Sequence, residues 1–183
     1  ARDDGVGSKL WLIGGQESFD LYSDIWSSSD GQTWIAHGSA QPEPGTSAVF
    51  DPRAGHQVVV FTADRPGSEP RLWLVGGVGA DFYGDVWSSR NGTHWVRHEP
   101  GDASAARFAP RAHHQLLVAD AGGDARAELW LLAGSSYDSW SSTNGADWHH
   151  LSPYAEFSPR TEHQVVVFND GDGERLWLIG GDE

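Results

Sequence analysis

Three copies of one phrase, Phe-x-Pro-Arg-x-x-His, run from Phe50 to His56, from Phe108 to His114 and from Phe157 to His163. They supply Arg53, Arg111 and Arg160, whose guanidinium forks match carboxylates. They also supply His56, His114 and His163, three imidazoles that could converge on a metal ion. Asp24, Asp85 and Asp138 each stand two residues before a Trp, and a carboxyl in a perturbed environment can act as a general acid or base. The stretch NDGDGE (169–174) has the Asp spacing of a calcium loop but lacks the full twelve-residue ligand pattern.

Recurrence argues for a plainer use of all of these. A catalytic site is written once, whereas a residue repeated in every unit usually serves the unit. The His are therefore expected to hydrogen-bond their own strands, the Asp to cap loops, and NDGDGE to be a solvated hairpin. Neither a metal site nor a cofactor is expected.

The elements that would position these groups are legible as a repeat. KLWLIGG (9–15), RLWLVGG (71–77), ELWLLAG (128–134) and RLWLIGG (175–181) are short apolar runs stopped by small residues, the pattern of buried strands. HQVVVF (56–61), HQLLVA (114–119) and HQVVVF (163–168) precede three of them and read as strands as well. The phrases DIWSS…TWIAH, DVWSS…HWVRH and DSWSS…DWHHL flank Asp30-Gly31, Asn91-Gly92 and Asn144-Gly145. Asx-Gly between strands predicts a tight type I′ hairpin. Trp26 and Trp34, Trp87 and Trp95, and Trp140 and Trp148 are each eight residues apart. One unit thus has four strands and about 50 residues, the period of a β-propeller blade.

Composition narrows the function. A formal charge of −14 with 12 Lys and Arg argues against a nucleic-acid partner. The chain has no Cys, which removes disulfides and thiolate chemistry, and no run of about 18 apolar residues, so no membrane span is expected. It has no Met, which points to a processed or partial chain.

The sequence resembles the kelch-repeat β-propellers. The double glycines (Gly14-Gly15, Gly76-Gly77, Gly180-Gly181), the Asp-x-Trp opening each third strand and the Trp of each fourth strand carry the likeness. Ser28, Ser89 and Ser142 stand where kelch repeats usually have Tyr, and Ala133-Gly134 replaces one double glycine. The Ser-x-Asx-Gly-x-x-Trp stretch also resembles the Asp-box of sialidase-type propellers. The resemblance implies an all-β propeller segment, with strands over 9–37, 56–98, 114–151 and 163–181. That is 13 strands, beginning and ending on a second strand. The expectation is a piece of a larger propeller, or a ring completed between chains.

It further implies a binding mouth on the face carrying the second-to-third and fourth-to-first connections. Arg53, Arg111 and Arg160 would sit there with Phe19, Tyr22, Phe82, Tyr83 and Tyr137, a set suited to an acidic or carbohydrate ligand. The expected function is a non-enzymatic binding or scaffold module contacting a protein or a glycan, extracellular or at the cell surface, possibly as a homo-oligomer or part of a larger assembly. The alternative is a sialidase-like or sugar-mutarotase-like enzyme on the same scaffold.

Overall fold

A computed structural model describes residues 2–3, 8–64, 66–99, 101, 107–120, 126–134, 136, 138–154, 156–158 and 160–182. The architecture is all-β, with no helix among these residues. The first sheet has the order β1 (Arg2–Asp3), β2 (Ser8–Glu17), β3 (Asp20–Ser28), β4 (Ile35–Ser39). In the second, β5 (Gln41–Pro42) lies parallel on the outer edge of an antiparallel set comprising β6 (Gln57–Phe61), β7 (Arg71–Val75), β8 (Val86–Ser89) and β9 (His94–His98). The third is β10 (Gln115–Ala119), β11 (Glu128–Leu132), β12 (Ser139–Ser142) and β13 (His149–Ser152). The last is the pair β14 (Gln164–Asn169) and β15 (Glu174–Ile179). Four sheets follow one another, and among the described residues they do not close into a barrel or ring.

The repeat therefore folds as expected into consecutive four-stranded antiparallel units, but with two more strands than the 13 anticipated. β1 pairs with the start of β2 through Arg2↔Lys9 and Asp3↔Ser8. β5 reaches across to the next sheet, where the Gln41 N–H bonds the Thr93 carbonyl. Both are two-residue polar strands, too short for any apolar period to announce them.

Strand alternation builds the core. β7 is buried on both faces: Leu72 and Leu74 point one way, Trp73 and Val75 the other. The first face joins Ile13, Ile25, Phe50, Trp87 and Trp95 in the core between the first and second sheets. The second joins Phe108, Leu129, Leu131, Trp140 and Trp148 between the second and third. The Phe of the first two repeated phrases explains the paired Trp. Phe50 stands edge-on to Trp87 and Trp95, at 6.2 and 5.3 Å, and Phe108 to Trp140 and Trp148, at 6.4 and 5.2 Å.

The hairpin expectation is corrected. Gly31, Gly92 and Gly145 have positive φ, but Asp30, Asn91 and Asn144 do not, so these are not type I′ turns. The Asx side chain folds back instead. Asp30 Oδ1 accepts from the Gln32 and Thr33 N–H groups, and Asn91 Oδ1 from Thr93 and His94. The Ser that replaces the kelch Tyr completes the loop: Ser28, Ser89 and Ser142 Oγ accept from the Gly31, Gly92 and Gly145 N–H groups. Side-chain bonding thus outweighs the tight turn that the dipeptide favours. The amide bonds hold the Asp30 carboxyl down at about 2.

The double glycine has a steric reason. At Gly76 φ is +61°, and an added Cβ would lie 2.7 Å from the Arg111 carbonyl oxygen and 2.9 Å from His114 Cε1. Ala133, in the equivalent place of the third unit, carries its Cβ at φ +57°. Gly76→Ala is expected to cost about 2–5 kcal/mol, the left-handed backbone adding to overpacking. Ala133→Gly is expected to gain about 0.5–1 kcal/mol. Urea unfolding of the two variants checks both signs.

Candidate functional site

The connections at one end of the sheets are stitched together by backbone bonds. The Arg53 N–H donates to the Tyr22 carbonyl and the Gly15 N–H to the Arg53 carbonyl; one unit on, Arg111 repeats this with Tyr83 and Gly77. Ala54 and Val78 exchange bonds, and the His113 N–H donates to Gly55. The β2–β3 and β7–β8 connections and the segments before β6 and β10 therefore form one continuous surface.

Arg53 and Arg111 are wholly buried beneath it. Each forms a two-pronged pair with the carboxylate of its own unit. Arg53 donates to Asp85 at 2.6 and 2.9 Å and to the Gly76 carbonyl at 2.9 Å. Arg111 donates to Asp138 at 2.6 and 3.0 Å and to the Ala133 carbonyl at 3.3 Å. The same carboxylates accept from Trp87 and Trp140 Nε1 at 2.7 Å. Burial alone would raise the Asp138 carboxyl, but hydrogen bonds from Arg111 and Trp140 and the Arg111 charge bring it below its ordinary value. With its backbone on the preceding sheet and its side chain in its own, each Arg ties two sheets together. Arg160, half-buried, donates to the Gly180 and Ser158 carbonyls and the Ser158 hydroxyl, with no carboxylate partner among the described residues.

The aromatic candidates divide. The Tyr83 ring lies over the Arg53 guanidinium at 4.1 Å and helps cover it. Tyr22 is partly exposed and its hydroxyl donates to Glu17; burial first, then the Glu17 charge, raise its pKa. Phe19 is 98% exposed and Phe82 51%. Tyr137 lies outside the described residues.

The expectation that each His hydrogen-bonds its own strand is corrected for two of the three. His114 is fully buried with no partner on either ring nitrogen, and the His56 ring bonds the Ile13 backbone of the preceding sheet while its Nδ1 has no partner. The His instead fill space against the glycines: an added Cβ at Gly77, Gly134 or Gly181 would lie 2.9 Å from the Cβ of His56, His114 or His163, and one at Gly14 or Gly76 would lie 3.3 or 2.9 Å from the ring Cε1 of His56 or His114. Burial, then the Arg53 charge, lowers His56 to about 4; burial, then the Arg111 charge, lowers His114 to about 3. No group of three or more metal-ligating side chains occurs among the described residues.

The stitched end carries an open depression of about 540 Å3, lined by Leu21, Asp51, Pro52, Ala80, Asp81 and Tyr83. Repeat-based reading passes over Asp51 because it does not repeat, and over Asp81 because it recurs only as Asp20 of the first unit. Asp51 occupies the variable place of the Phe-x-Pro-Arg phrase, where the other copies have Ala109 and Ser158. That difference between copies is the signal the sequence offers. A second depression of about 350 Å3 includes Glu69, Arg71, Trp73, Arg90 and Asn144 among its lining residues. No protein-family model matches the chain, and no curated protein matches it.

Proposed function

We propose that the chain is a segment of a kelch-like β-propeller acting as a non-enzymatic binding or scaffold module, extracellular or at the cell surface, whose loop end contacts a glycan or a protein. Consecutive four-stranded units, and the convergence of β2, β6, β10 and β14 on a shared cavity of about 500 Å3, support the propeller reading. The observation that carries the binding reading is a division of labour. The repeated Arg53, Arg111, Asp85 and Asp138 are consumed in internal pairs, while Asp51, which the other copies of its phrase lack, stands with Asp81 beside Tyr83 in an open depression. Carboxylates that accept from hydroxyls, next to the Tyr83 ring, suit a neutral sugar or a basic peptide segment. A binding role also accords with the carboxyls that are shifted among the described residues, Asp30, Glu99 and Asp138. These are lowered, the opposite of what a general acid needs.

The test is a screen of neutral oligosaccharides and Lys/Arg-rich peptides, followed by titration of any hit into Asp51→Asn/Asp81→Asn and Phe82→Ala variants. The expected result is at least tenfold weaker binding, about 1.4 kcal/mol, in the variants. Hits that bind the variants as tightly as the parent would overturn the assignment of this surface.

A further inference from the structure

Two of the three interfaces between consecutive sheets share one locking device, the first-to-second and the second-to-third. Trp11 of the first sheet lies flat on Gly92 of the second, so that a Cβ there would meet its ring at 2.2 Å. Trp73 of the second lies on Gly145 of the third, where a Cβ would meet the ring at 2.1 Å. Each is a Trp from a Leu-Trp strand set on the Asx-Gly loop of the next unit. Beside it, the Trp-bearing face of one sheet covers the Leu-bearing face of the next: Leu72 and Leu74 at the first interface, Leu129 and Leu131 at the second, all 3% exposed or less.

The outermost sheets present the two halves of this device unused. Among the described residues, Gly31 has nothing near its open side but Leu10 of its own sheet, at 3.7 Å. Leu10 and Leu12, the counterparts of Leu72 and Leu74, are 50% and 48% exposed. At the other extreme, Trp177 and Ile179, the counterparts of Trp73 and Val75, are 45% and 60% exposed. Registers agree, since Val59↔Trp73 and Val166↔Trp177 are equivalent pairs.

We propose that copies of this chain associate head to tail, with the Trp177–Ile179 face of β15 on one copy docking against Gly31, Leu10 and Leu12 of another. The chain's own interior interfaces supply the template: the same residue types, at the same places, already pack in this way twice. The contact is heterologous, so it closes into a ring or extends into a string of copies. Both surfaces are apolar sheet faces in a chain of charge −14, so the association strengthens as salt screens the repulsion between copies. This proposal does not depend on the ligand reading.

The experiment is sedimentation equilibrium of the 183-residue chain from 1 to 100 µM, with Leu12→Arg and Trp177→Arg variants. Both side chains are half exposed in the single chain, so each variant is expected to fold; Ile179→Lys serves as a second tail variant. The expected results are a mass of at least twice 19.9 kDa for the parent, and at least tenfold weaker association for each variant alone. A mixture of the head and tail variants should recover a two-copy complex, because one intact head still meets one intact tail. A parent that stays monomeric at 100 µM overturns the proposal. So does an assembling parent whose mixed variants stay apart, since that interface would be isologous. A third outcome also overturns it. If Asp24→Asn dissolves the assembly while Trp177→Arg leaves it intact, the copies exchange strands through Arg160 rather than stacking faces.

Discussion

Asp85→Ala is expected to destabilise the chain by about 3–5 kcal/mol, several times the cost of removing an exposed charge. The carboxylate is 12% exposed and its partner Arg53 not at all. Removing it leaves a guanidinium sealed under Tyr83 with only carbonyls to bond, and takes the acceptor from Trp87 Nε1. Asp85→Asn keeps the shape and one acceptor, so it should cost clearly less. In a double-mutant cycle with Arg53→Met, the coupling should exceed about 2 kcal/mol, because the double variant no longer buries an unpaired charge. The surface pair Arg126–Asp64, with side chains 67% and 52% exposed, should couple by less than about 1 kcal/mol and serves as the control. An Asp85→Ala cost under about 1 kcal/mol would mean that water reaches Arg53, and that the strut between sheets is not one. Chemical denaturation followed by tryptophan emission reads every variant of the cycle and its control.

That pair also shows how far the sequence was legible. The spacing of Pro-Arg and Asp-x-Trp identified the residues of the strut but not their joining. Arg53 and Asp85 are 32 positions apart, and nothing local distinguishes a guanidinium facing a ligand from one facing its own sheet. Strand order was legible because LWL and VVV runs alternate at fixed distances, and burial on both faces of β7 makes such a run continuous. The loop departs from the tight hairpin because Asn-Gly specifies backbone angles only when no side chain competes. Here Ser89 Oγ and Asn91 Oδ1 bond the loop amides and hold a wider turn. The place of His114 is illegible for a related reason. Repetition of the His marks a shape requirement against the glycines, and shape leaves no signature in donor or acceptor type. The depression was illegible to a search for repeats because Asp51 is a residue in which the units differ and Asp81 recurs only as Asp20 of the first unit.

The buried imidazoles set the second large effect, a loss of stability on mild acidification. His56 and His114 titrate at about 4 and about 3 in the folded chain, against about 6.5 when unfolded. The folded values are depressed for a base, so the unfolded chain binds protons first as pH falls. Stability is therefore fully present above about pH 6.5 and declines as pH drops from there toward 4 and then 3. At pH 5 nearly two protons separate the states, a slope of about 2.5 kcal/mol per pH unit, and the loss from pH 7 to pH 5 comes to about 4 kcal/mol. His163, lowered by burial and then by the Arg160 charge, acts in the same direction. Asp138 and Glu99 are lowered carboxyls. Their contribution is lost only below the ordinary carboxyl range near about 4, so the two classes separate along the pH axis. Urea midpoints at pH 7, 6 and 5 measure the slope, and His114→Gln should remove about half of it whatever its effect on stability at pH 7. His163→Gln gives a second reading if that variant is too weak to fold. A midpoint that is flat from pH 7 to pH 5 would mean that the imidazoles find water or protons in the folded state. The unpartnered nitrogens of His114 would then line a solvated channel rather than a dry seam between sheets.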